Sequence, residues 1–271
     1  MIGVELRKLL RRPRTWIVIA LIDALPTLVA VLLAITDLAP RPGTGPAFLS
    51  AVLTNGVLFP AAALAIVLPL FLPVSVAVVA GDSVAGEAQA GTLRYLIARP
   101  AGRTRLLVAK LVAVLVFVAL AIVVVTVTAY FVGTSLFGSE PLGGSVLSVS
   151  GTPLTPREAV LRTLLAMGYV AFSMLGVAAV ALFLSTVTDS PLAAAMGALA
   201  FLVASSLLLT LDASGALQPY LPTRYWLAFV DLFRQPIRWR DIVRGIGLQS
   251  VYVAVLLAAA WANFTTKDIK S

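Results

Sequence analysis

The sequence predicts an all-α integral membrane protein of about six transmembrane helices. Composition comes first: of 271 residues, 60% are apolar and only 12% charged, against roughly 25% charged in soluble domains. The apolar residues gather in runs close to the roughly 20 residues that cross a bilayer. Most of the charge lies in the short connections between those runs. Water cannot solvate so much apolar surface. Lipid can, and a helix is the element that pairs its own backbone groups there.

The runs are residues 16–36, 57–80, 111–132, 163–184, 192–211 and 245–262. The first is too long for a signal-peptide core, and the chain keeps returning to the membrane, so it reads as a retained span. The second contains Pro60, Pro69 and Pro73, which should kink or partly unwind it. Connections 38–56 and 133–158 are rich in Gly, Pro, Ser and Thr and too small to be folded domains. Segment 185–191 is a tight turn. No internal repeat and no soluble domain is legible, so 1–271 reads as one membrane domain.

Orientation follows from the basic residues. Arg7, Lys8, Arg11, Arg12 and Arg14 precede the first span, in a segment (1–15) that reads as an interfacial helix. Arg94, Arg99, Arg103, Arg105 and Lys110 lie between the second and third, and Lys267 and Lys270 in the tail. Six spans put these segments on one side, and the positive-inside rule makes that side cytoplasmic, with both termini. Segment 212–242 opposes the rule, since Arg224, Arg234, Arg238 and Arg240 would be external. It also holds Tyr220, Tyr225, Trp226, Phe229, Phe233 and Trp239, and it reads as helical pieces lying in the outer interface. Five-span and seven-span topologies remain alternatives.

Several functions are excluded early. The chain has no cysteine and no histidine, which removes disulfides, imidazole metal sites and Ser-His or Cys-His catalysis. The net charge of +8 flanks hydrophobic runs, so it speaks for membrane lipids rather than nucleic acid. No Gly-Lys-Ser/Thr sequence occurs, so the chain has no P-loop and is not expected to hydrolyse ATP. No cofactor or metal is expected in it.

The richest segment is the cytoplasmic connection 81–105 and its continuation to Lys110. Residues 83–98 can form a short helix with Leu93, Leu96 and Ile97 on one stripe, ended by Pro100. On physics alone, this is equally an amphipathic linker resting on anionic headgroups. The pattern Glu87-x-x-x-Gly91-Thr92-Leu93-x-x-Leu96-x-x-x-Pro100-x-x-Arg103-x-x-Leu106-x-x-x-Lys110 resembles the cytoplasmic loop of type-2 ABC transporter permeases. The opening E-L-R-K-L-L-R-R-P-R-T-W and the tail F-T-T-K-D-I are similar to that family's amino-terminal interfacial helix and its usual ending.

The resemblance implies a coupling helix between spans two and three that docks on a separate ABC ATPase subunit. ATP and Mg would be held by that subunit. Two permease subunits, identical or different, would pair to form an export path in a cell membrane, and a bacterial origin is implied by analogy. By the same carry-over, Glu87, Gly91, Thr92, Leu93, Arg94 and Leu96 belong to the ATPase contact, while Gly91 and Pro100 shape the loop. Pro100, Arg103 and Lys110 would anchor the loop, and Thr188, Asp189 and Ser190 would form a second contact. Two other classes stay in view: a membrane-embedded lipid-modifying enzyme, and a non-transporting anchor or sensor subunit. No convergent set of Asp, Glu, Ser, Lys or Tyr supports the enzyme.

Asp23 is the one acid well inside a span, three residues before Pro26. It is either a functional intramembrane acid or a shallow group meeting water or a basic residue of the interfacial helix. Trp16 and Trp261 stand near cytoplasmic span ends as anchors. Ala193, Ala194, Ala195, Gly197 and Ala198 in the fifth span permit close helix approach, at a dimer seam or within the subunit.

Overall fold

Prolines stand in the first turn of several helices, and Gly102 caps the start of another. The computed structural model describes residues 2–36, 56–91, 102–138, 146–211 and 215–266. α1 (Ile2–Arg11) stops at Arg12, whose extended backbone precedes Pro13, and α2 (Pro13–Ile35) starts there. A residue before proline disfavours helix, whereas proline itself suits the first helical turn. The interfacial helix is therefore shorter than the expected 1–15, and residues 13–15 belong to the first span. Trp16 donates its indole N–H to the Leu10 carbonyl at 2.9 Å across this corner.

The second hydrophobic run is a broken span. A 3₁₀ turn (Gly56–Leu58) leads into α3 (Phe59–Val67), and α4 (Phe71–Gln89) follows. The interruption falls at Pro69, which has no N–H to donate and would clash with the carbonyl four residues back. α3 is only about 14 Å long at about 1.5 Å per residue, too short to cross about 30 Å of hydrocarbon alone. Its residues from Phe59 to Leu64 are buried, as irregular backbone at membrane depth requires. The two pieces run antiparallel to α5 (Arg103–Phe137). Gly56 N–H meets the Gly138 carbonyl at one end, and Glu87 meets Lys110 at the other.

α6 (Pro156–Val187) is the central helix, packed against α4, α5, α7 (Pro191–Thr210) and α8 (Trp239–Thr266). In its apolar stretch 67% of residues are buried, against 22% in α2 and 17% in α8. It begins with a capping box: Glu158 N–H donates to Thr155 Oγ1 at 3.3 Å, and Thr155 N–H to Glu158 Oε2 at 2.8 Å. α7 is capped by Ser190, with Pro191 in its first turn. Just before α6, β1 (Val146–Leu147) and β2 (Pro153–Leu154) form a small antiparallel ladder.

Among the described residues, six helices are long and apolar enough to cross a membrane: α2, α4, α5, α6, α7 and α8. The protein is an all-α, multi-pass membrane protein. Segment 212–242 is not the expected surface layer throughout. Its 3₁₀ helix Trp226–Phe233 turns Trp226, Phe229, Leu232 and Phe233 into the core, leaving Tyr220 and Trp239 exposed. Aromatic composition suited an interface, but the fit of these rings against α6 buries more apolar area. In the fifth span, Ala194, Ala195 and Ala198 are buried within the chain, and Ala195 lies against Gly81 of α4, where a Cβ would come within 3.0 Å of its backbone nitrogen.

Candidate functional site

Charge from α1, α2, α4 and α5 converges on one end of the bundle. α1 presents Glu5 and Lys8, the α1–α2 corner Arg12 and Arg14, the end of α4 Asp82 and Glu87, and the start of α5 Arg103 and Lys110. α5 begins two turns earlier than the apolar run suggests, and the seven-residue spacing of Arg103 and Lys110 sets both on one face.

Glu87 is at the centre. Its Oε1 lies 2.8 Å from Lys110 Nζ and 3.0 Å from Lys8 Nζ, and Lys110 also faces Glu5 Oε2 at 3.9 Å. Lys110 is 2% and Glu87 7% exposed, so these charges are held by one another rather than by water. Nearby, Asp82 Oδ2 accepts from Arg14 at 2.5 Å and from Arg12 at 3.4 Å. Gly86 leaves the space that the Asp82 carboxylate fills.

Hydroxyl and carbonyl contacts brace the same end. Ser185 of α6 donates to the Gly81 carbonyl at 2.7 Å and accepts from Ala85 N–H at 2.9 Å and Val84 N–H at 3.1 Å. Arg103 donates to the Thr265 and Phe264 carbonyls at 2.8 and 3.3 Å, a cation at the negative end of α8. Asn263 donates to the Thr186 carbonyl at 2.9 Å, and Trp261 to Thr104 Oγ1 at 2.9 Å.

The expected helix over 83–98 is not one element. Residues 83–89 complete α4, and Gly91, just past the Ala90 cap, has φ +67°, a left-handed conformation natural to glycine. Thr92, Leu93, Arg94, Leu96 and Pro100 lie outside the described residues. Glu87 is not the surface residue expected of a partner contact. Its carboxylate points inward because two lysines there compensate the cost of burial. Arg103 and Lys110 tie the loop's second stem to α8 and to α4. Thr188 and Ser190 cap the ends of α6 and α7 at the same pole, with Asp189 exposed between them.

Asp23 stands apart, about 15 Å into α2. It is half-buried, Thr128 of α5 is the hydroxyl facing it, and its Oδ1 has no hydrogen-bond partner among the described residues. The described residues gather no cluster of three or more metal-ligating side chains.

Sequence reasoning missed Arg162. It is buried in the first turns of α6 and donates to the Leu232 and Arg234 carbonyls, both at 3.0 Å, fastening the end of the Trp226–Phe233 segment. Its only signal was a cation one turn after Glu158, indistinguishable from a headgroup contact. Asp82 and Glu5 were missed likewise, because their partners are distant in sequence. No curated protein matches the chain. A family model described as a protein of unknown function (DUF2705) matches residues 41–270, and the chain belongs to that family.

Proposed function

We propose that this chain is the membrane-spanning subunit of an ABC exporter, pairing with a second permease subunit and driven by a separate ATPase that grips segment 92–101. One observation carries the reading. Both stems of that segment are locked to the amino-terminal helix by the Glu87–Lys110–Lys8–Glu5 ion-pair network. A push on the segment would reach α1, α4 and α5 together instead of dissipating in a loose loop. The resemblance of residues 87–110 to a type-2 permease loop supplies the partner's identity, and the direction of transport comes from the same resemblance. The charged pole is then cytoplasmic, with both termini, in a bacterial plasma membrane. Thr92, Leu93, Arg94 and Leu96 make the ATPase contact, and ATP and Mg belong to that partner.

The test is co-purification in detergent with the candidate ATPase. The native chain should hold it, and Leu93→Asp with Arg94→Glu should lose it while remaining folded. A native chain that retains no P-loop ATPase would sink the reading.

A further inference from the structure

We propose that a cleft between α2 and α7 binds one acidic membrane phospholipid, its phosphodiester on Arg12 and Arg14 and an acyl chain along the apolar wall. α2 leans on α5 and barely touches α4, which leaves a cavity of about 760 Å³. That lies within the roughly 300–1,000 Å³ of small-molecule sites. α4 forms its floor, α2 and α7 its sides, and α1 closes the charged end.

The two ends of the cleft differ in chemistry. At the charged end, among the described lining residues, the cations Lys8, Arg12, Arg14 and Lys110 face only Glu5, Asp82 and Glu87. The imbalance is local, since the single Asp82 oxygen Oδ2 serves both guanidiniums. Arg14 keeps 60% of its side chain exposed, so one further negative charge is the complement this corner lacks. One turn beyond Arg14 and Asp82 the walls are Val18, Val78 and Val79, and Leu192 in the first turn of α7 lines the cleft too, with Val78 48% and Leu192 72% exposed.

A group with one negative charge attached to a long apolar chain satisfies both halves. Arginine forks suit phosphate oxygens. A free anion gains nothing from the valine and leucine wall, and a zwitterionic lipid brings a further positive charge to a corner that already has one in excess. The site stands whether or not the chain is a transport subunit.

The experiment is native mass spectrometry of the purified full chain, titrated with phosphatidylglycerol, phosphatidylcholine or inorganic phosphate. A single saturating phosphatidylglycerol adduct is expected, at least tenfold tighter than phosphatidylcholine, with no competition from inorganic phosphate. Arg12→Gln with Arg14→Gln should weaken it at least tenfold, at about fivefold per cation near a lipid surface. Val78→Trp and Leu192→Trp keep every charge and should weaken it by filling the wall. Leu192 is exposed enough for its variant to fold and carry the test alone. Arg7→Gln with Arg11→Gln, exposed on α1 outside the cleft, should change nothing. Equal retention of the two lipids, retention unchanged in the cleft variants, equal loss in the Arg7 and Arg11 variant, or displacement by inorganic phosphate would each overturn the site.

Discussion

Lys110 Nζ lies 2.8 Å from Glu87 Oε1, across the connection that separates them in sequence, and both groups are buried. Two ions withdrawn from water cost several kcal/mol each to desolvate, and close pairing compensates that cost. The pair therefore fixes how α4 and α5 meet more than it adds stability. Removing one partner leaves the other buried with only Lys8 or Glu5 to hold it.

Lys110→Met should accordingly destabilise the chain by about 3 kcal/mol, the low end for breaking a buried pair because Lys8 remains. Glu87→Gln combined with Lys110→Met should cost less than the sum of the single changes, with coupling of about 0.5–3 kcal/mol. Thermal unfolding in detergent measures the cycle. Strict additivity would show that the two groups do not hold each other.

Arg162→Met should free the Trp226–Phe233 segment. Two charge-assisted bonds are lost, each worth about 1.5–3 kcal/mol, and two carbonyls lose their donor. Hydrogen exchange should rise from Leu232 to Arg234 while the charged pole stays protected. Both bonds leave the single nitrogen Nη1, so Arg162→Lys, whose ammonium also has donors for two carbonyls, should recover part of the effect.

Gly91→Ala should cost about 1–2 kcal/mol, the penalty of a Cβ in left-handed backbone. Among the described residues nothing lies within 4 Å of the added carbon, so the expected cost is conformational. Gly91→Asn should cost less, because asparagine tolerates this region. Equal losses for the two variants, read from melting temperatures, would contradict the backbone explanation.

Gly56→Ala should be among the most damaging single-methyl additions in the protein. The new Cβ would overlap the Gly133 carbonyl, forcing the 3₁₀ turn off α5, at about 1–3 kcal/mol for overpacking. Gly247→Ala is the matched control. It adds the same carbon inside α8 where no described residue lies within 4 Å, and it should be neutral or stabilising by about 0.4–1 kcal/mol. A pair of melts decides whether close backbone approach or glycine content matters.

The spans were legible because their signal is local. A run of apolar residues near bilayer length carries its own answer, and Pro60, Pro69 and Pro73 signal an irregular second span, although only the structure shows that the break falls at Pro69. The candidate site was legible only in part. Arg103 and Lys110 were found, but Glu87 was assigned to a surface it does not occupy. Glutamate beside a glycine-ended helix looks exposed in sequence; only the arrival of Lys8 from α1 and Lys110 from α5 turns it inward.

By itself, then, the sequence determined the solvent of this protein, its helical class and the approximate ends of its spans. Each of these depends on residues close together in the chain, through hydropathy, proline chemistry and the cost of unpaired backbone in lipid. The tertiary structure alone decided which charges meet, that Trp226 and Phe229 face inward, that Arg162 holds a distant carbonyl pair, and that α2 stands off α4 to leave a cleft. Those outcomes depend on shape complementarity between elements far apart in sequence, which no local pattern encodes.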